Sequence, residues 1–176
     1  MKLNLGCGTN RIEGFINVDI DPSVGADENF SLLGKFPYAD ESIAEVVAYH
    51  ILEHIPKHFH SQIYSEIYRV LEPTGKLTLS FPEWSTCVKY YQENYKGMKD
   101  FWEATLYGRQ ATPHDFHVCI MERDNVAREL IRQGFEIDFC GTEPVELHNA
   151  VVKAHKVKKY TYQEAMKEAL YANCES

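Results

Sequence analysis

Residues 3–8 read Leu-Asn-Leu-Gly-Cys-Gly, and residues 15–20 read Phe-Ile-Asn-Val-Asp-Ile. Leu3 and Leu5 belong to a short apolar run, the pattern of a buried first strand. Gly6 and Gly8 follow it directly. Glycine adopts backbone angles that other residues avoid, and without a Cβ it lets a ligand approach the main chain. In open α/β sheets the ligand crevice lies just outside the carboxyl ends of the strands. A Gly-x-Gly pair at that place is a candidate ligand loop, although the same pair also makes an ordinary turn. The second stretch predicts a second strand with Asp19 near its end. A carboxylate there can accept hydrogen bonds from both hydroxyls of a ribose. The glycine pattern does not extend to G-x-G-x-x-G, because Arg11 stands at the third position. That disfavours a loop built to cradle a pyrophosphate.

The chain has 176 residues, enough for one domain (1–176) with a sizeable core. An apolar fraction of 44% is ordinary for a globular protein and argues against disorder. No apolar run is long enough to span a bilayer, so no membrane association is expected. Met1-Lys2 leads straight into a strand without a signal peptide, which makes the cytoplasm the expected location. A net charge of −8 argues against general affinity for nucleic acid. The five cysteines are scattered without a C-x-x-C, which suggests neither a zinc site nor a disulfide framework.

The stretch from Gly6 to Gly14 is too short for a crossover helix, which normally needs about a dozen residues. The first helix should shrink to a turn or two. A third strand is expected near 28–33, a fourth over 44–49 leading into His50, and a fifth over 76–81. Ile63, Ile67, Val70 and Leu71 recur at helical spacing and predict a helix over 57–71, ended by Pro73 and Gly75. Residues 85–120 are rich in aromatics, interrupted by Gly97, Gly108 and Pro113, and read as an insertion or lid over the active edge. A helix over 122–133 with Gly134 as its stop, strands over 135–140 and 149–154, and a helix begun by the capping box at 161–164 and running to 173 complete the pattern. The fold class is α/β, a doubly wound, mostly parallel, Rossmann-like sheet of about seven strands.

Five segments occur in a recognisable order: LNLGCG at 3–8, GFINVDIDP at 14–22, FPYADESI at 36–43, HILEHI at 50–55 and EIYRVLEPTGKLTLSFPEW at 66–84. Together they resemble the class I S-adenosylmethionine-dependent methyltransferases, and in particular a group of small methyltransferase-domain proteins. The resemblance implies S-adenosyl-L-methionine as cofactor and an antiparallel final strand pair. It places Gly6, Cys7, Gly8, Asp19 and His50 at the cofactor, with Asp21 as the alternative ribose ligand. It also places Asn4 there, where many relatives carry Asp or Glu, and Ser31 where relatives often carry Asp. Cys7 is expected as a small side chain beneath the loop rather than a nucleophile.

His54 and His117 are the candidate catalytic residues, because an imidazole titrates near neutrality and can remove a proton. For His54 and Glu53, stabilising the loop is the competing role. His50-Ile51-Leu52-Glu53-His54 also fits the H-x-x-E-H spacing of one zinc protease class. Here the stretch follows a strand and is stopped by Pro56, so no metal is assigned. Tyr107, Arg109 and His114 are candidate contacts for the acceptor, and Arg109 suits an acidic group. The expected reaction is methyl transfer to a small molecule or glycan precursor. A non-catalytic protein on the same fold, and a protein or nucleic-acid methyltransferase, stay open as alternatives. So does a homodimer.

Overall fold

The computed structural model describes residues 1–94, 98–142 and 148–157. Seven strands make one sheet: β1 (Lys2–Leu5), β2 (Ile16–Asp19), β3 (Glu28–Asn29), β4 (Ile43–Tyr49), β5 (Leu71–Pro82), β6 (Phe135–Thr142) and β7 (Asn149–Lys156). Their order is β3-β2-β1-β4-β5-β7-β6. β7 runs antiparallel to both of its neighbours, and every other pairing is parallel. The carboxyl ends of β1, β2, β4 and β5 therefore share one edge. They deliver Gly6, Asp19, His50 and Glu83 to it.

Among the described residues, four α-helices accompany the strands: α1 (His60–Val70), α2 (Trp84–Asn94), α3 (Lys99–Tyr107) and α4 (Arg123–Gln133). α1 buries Ile63, Tyr64, Ile67 and Val70 on one face. Full burial of such a side chain contributes about 1.5–3 kcal/mol. α4 buries Val126, Ala127, Leu130 and Ile131, then stops at Gly134, whose φ of 106° lies in the left-handed region. Central strands are buried on both faces, so Leu3, Leu5, Val46, Leu77 and Leu79 are wholly inaccessible.

Three elements differ from the sequence expectation. Residues 6–15 contain no helix at all. β3 is two residues long, because only Glu28 and Asn29 pair with β2. β5 begins at Leu71, five residues before the expected start. Pro73 and Gly75 do not end the segment in a loop. They occupy an irregular stretch of β5, where the register against β4 shifts between Ile43 and Glu45 and Thr74 takes a φ of 63°. The expected helix over 161–173 lies outside the described residues. No helix among the described residues is long and apolar enough to cross a membrane.

Candidate active site

The turn after β1 is shaped by its two glycines. Gly6 has φ 65° and Gly8 has φ 50°. A Cβ on Gly6 would stand 2.5 Å from Cγ1 of Ile51, so the residue following His50 packs directly on this turn. The Gly8 amide donates to Asp19 Oδ2 at 2.8 Å, and the Asp21 amide donates to Asp19 Oδ1 at 2.9 Å. Both carboxylate oxygens are thereby fixed in place, and each keeps a lone pair for a ligand hydroxyl. Asp21 instead caps a single 3-10 turn at Pro22–Val24 by accepting from the Ser23 amide. Hydrogen bonds from Ser23 hold the Asp21 carboxyl below its ordinary range.

A cavity of about 210 Å³ opens at this edge. Its floor includes Gly6, Asp19, Ile20, Ser31, Leu32 and Ile51, and its other wall includes His54, His114, Phe116 and Val118. The lining is mostly apolar with one fixed carboxylate, a shape suited to a flat apolar ring attached to a diol. Ile20, Leu32 and Ile51 are lining residues that the sequence did not single out. The one available signal was Ile20, a large apolar residue directly after the strand-end aspartate, which remains 48% exposed.

Asn4 is not among the lining residues. It is buried, and its amide donates to the Asn10 carbonyl and to Asn17 Oδ1. Its shape suits holding the 6–15 connection. The Cys7 amide donates to the Val18 carbonyl and its thiol to the Gly8 carbonyl. Burial, then the nearby Asp19 charge, pushes that thiol up from its ordinary pKa, which opposes a thiolate role. Glu83 is buried and accepts from the Arg123 amide at the start of α4. Tyr107 and Arg109 are exposed and outside the cavity lining, whereas His114 is part of it.

The H-x-x-E-H stretch leaves β4 through His50, which takes a φ of 53°. The Asn149 side-chain amide lies 3.2 Å from His50 Nε2, and Glu53 Oε1 lies 3.2 Å from His50 Nδ1. Donation from Asn149 leaves the His50 proton on Nδ1, directed at Glu53. His50 thus sits beside the cavity without lining it. Glu53 is 2% exposed. His54 and His117 meet edge to face, with ring centres 4.7 Å apart. His54 Nδ1 lies 3.1 Å from the Phe116 carbonyl, and His117 Nδ1 lies 2.9 Å from the Thr105 carbonyl. Burial draws the His117 imidazole below its ordinary pKa. His54 faces the 210 Å³ cavity, whereas Glu53 and His117 face a second, smaller recess beside Trp84 and Cys87. The structure thus unites His54 with a histidine 63 positions away, and adds Glu53.

A family model described as a methyltransferase domain matches residues 3–79. No curated protein sequence matches the chain. An S-adenosylmethionine-dependent methyltransferase from Methanosarcina mazei has a similar fold, with a TM-score of 0.67 at 20% identity, covering 90% of this chain and 92% of that one. The 1,6-didemethyltoxoflavin-N1-methyltransferase of Burkholderia thailandensis, solved with its namesake compound and S-adenosylhomocysteine, gives 0.58 at 16% identity, covering 89% and 71%. A structure of the Haloferax volcanii Trm112 methyltransferase activator in complex with a methyltransferase gives 0.60 at 12% identity, covering 89% and 82%. At these identities the likeness speaks for the fold. The domain match over residues 3–79 and the seven-strand order across the described residues agree in giving the chain the fold of the class I S-adenosylmethionine-dependent methyltransferases.

Proposed function

We propose that the protein transfers the methyl group of S-adenosylmethionine to a small-molecule acceptor, with Asp19 holding the ribose of the cofactor. The observation that carries this reading is the Asp19 carboxylate, fixed by two backbone amides on the floor of an otherwise apolar cavity. Gly6 and Gly8 lie beside the methionine and ribose, Cys7 contributes its backbone, and Ile20, Leu32 and Ile51 flank the adenine. The sulfonium already activates the methyl carbon, so the protein's task is orientation and exclusion of water. The 85–120 segment serves as a lid, with His114 and Phe116 on its inner side. His54 or His117 accepts a proton where the acceptor must lose one. A cytoplasmic location accompanies this reading.

The test is calorimetric titration with S-adenosylmethionine and S-adenosylhomocysteine, beside Asp19→Ala. The variant should bind about 100-fold more weakly, the worth of two charge-assisted hydrogen bonds at ~1.5 kcal/mol each. A folded wild-type protein that binds neither ligand at millimolar concentration overturns the reading.

A second reading, a protein partner, is favoured by the exposure of Phe116, Val118 and Ile120, at 45%, 52% and 59%. The Trm112 complex of the Haloferax volcanii protein supplies a precedent for partner binding on this fold. Light scattering of the purified chain across a concentration series separates a self-associating protein from a monomer that awaits another partner.

A further inference from the structure

We propose that Glu53, His54 and His117 form a binding site for a divalent first-row transition ion. One ligating atom from each residue lies within 4.8 Å of the other two, so modest side-chain closure brings all three onto one ion. Metal–ligand distances of about 2.0–2.2 Å are required.

Two further observations point to a ligand. Glu53 is 2% exposed, and its Oε2 has no hydrogen-bond partner. A buried carboxylate oxygen is costly to leave in that state, and coordination to a cation is one of the few ways to offset the cost. The second observation is the orientation of the imidazoles. Each aims Nδ1 at a backbone carbonyl, Phe116 for His54 and Thr105 for His117. A carbonyl can only accept, so Nδ1 carries the proton and Nε2 keeps its lone pair. Metal-bound histidines usually donate their other ring N–H in this way, and ligating carboxylates are themselves held by hydrogen bonds. Glu53 Oε1 is held by His50. The outer support of a metal site is therefore assembled around the three donors.

Two imidazoles and one carboxylate suit Zn²⁺ or Fe²⁺ and are a poor match for Mg²⁺ or Ca²⁺, which take oxygen ligands. Three protein donors leave at least one coordination position open, as catalytic sites do. The ion would stand between the cavity faced by His54 and the recess faced by Glu53 and His117. Its open position is placed to take an oxygen or nitrogen atom of a small molecule. With the ion bound, His54 and His117 act as ligands and no longer as proton acceptors. The site stands on the side-chain arrangement and does not depend on the methyl-transfer reading.

The experiment is titration of Zn²⁺ into tag-free, chelator-stripped protein against a competing chromophoric chelator. The wild type should take up one equivalent with sub-micromolar affinity. Glu53→Gln and His117→Gln should each weaken it by about 100-fold, while His58→Gln, an exposed histidine outside the cluster, should leave it unchanged. Circular dichroism and thermal unfolding establish that each variant folds. If Glu53→Gln does not fold, His117→Gln decides. Absence of tight binding by the wild type, or His117→Gln binding as well as the wild type, overturns the site. S-adenosylmethionine titrated into the same samples keeps the two readings apart. Cofactor binding without Zn²⁺ binding removes only the metal site, and the converse removes only the methyl-transfer reading.

Discussion

Two irregular segments reach the same edge of the sheet, and they are held in opposite ways. The 6–15 connection is tied by a closed polar network. Asn17 Oδ1 accepts from the Ile12 amide and from Asn4, and the Asn17 side-chain amide donates to the Ile12 and Phe15 carbonyls and to Asp27. Arg11 pairs with the other Asp27 oxygen. The 108–121 segment is attached instead by single contacts to several separate elements, among them His54 at the Phe116 carbonyl and the Cys119 thiol at the Ile55 carbonyl. The Val118 amide donates to the Glu53 carbonyl, the His117 amide to Tyr107, and Met121 accepts from the Trp84 amide. It leaves Phe116, Val118 and Ile120 in solvent. A short connection without a helix is rigid when its polar groups satisfy one another. A longer one pinned at a few points is free to open locally.

The largest effect expected from this contrast is at Gly6. Gly6→Ala combines left-handed strain with a collision against Ile51. It should lower global stability by about 2–4 kcal/mol and abolish cofactor binding, as read by urea unfolding and calorimetry. Gly8→Ala meets no atom within 4 Å and should lose only about 1 kcal/mol to backbone strain. Equal losses at the two positions would remove the Ile51 packing account.

Asn17→Ala comes next. It strips the acceptor from the Ile12 amide and one acceptor from Asn4, and should destabilise the protein by about 2 kcal/mol in urea unfolding. A loss within experimental error of zero would mean that the 6–15 connection is not held by this network.

Gly108→Ala tests the other segment. A Cβ there would stand 1.7 Å from the Asp115 carbonyl oxygen, at a backbone φ of 78°. The segment should detach while the sheet survives. Cleavage by a protease within 108–121 should rise several-fold, with the urea midpoint nearly unchanged. A large drop in the midpoint would show that the segment folds as part of the core.

The same contrast explains what was legible in the sequence. Partners within the first connection lie 2 to 16 residues apart, from Phe15–Asn17 to Arg11–Asp27, so the Gly-x-Gly turn and the strand-end Asp19 stand close together in the chain. The apolar runs of β1, β2 and β4 and the helical spacing of α1 and α4 follow from local periodicity alone. The early start of β5 was hidden, because Pro73 and Gly75 signal a break and only pairing with β4 turns them into an irregularity. The company of His54 was hidden for a different reason. Its partners Phe116 and His117 lie more than 60 positions away, and no local pattern encodes that contact. Asn4 stands inside the glycine motif, yet its side chain serves the connection, because its amide is used up on the Asn10 carbonyl and Asn17 Oδ1.

The smallest predicted effect concerns pH. Hydrogen bonds from the Asn17 backbone amide and then from its side chain hold the Asp27 carboxyl below its ordinary range. A carboxyl whose folded pKa is depressed contributes stability that is fully present above its unfolded pKa of about 3.9 and is lost as pH falls toward the folded value. Acidification from about pH 5.5 to about pH 3 should therefore lower the urea midpoint of the wild type more steeply than that of Asp27→Asn, whose side chain does not titrate. The exposed position of Asp27 keeps the difference small. Raised salt should shrink only the part owed to the Arg11 pair, since the Asn17 hydrogen bonds are short-range. Parallel curves for the two proteins would assign the order of the 6–15 connection to Asn17 and Asn4 alone, and Asp27 would then be a bystander at its rim.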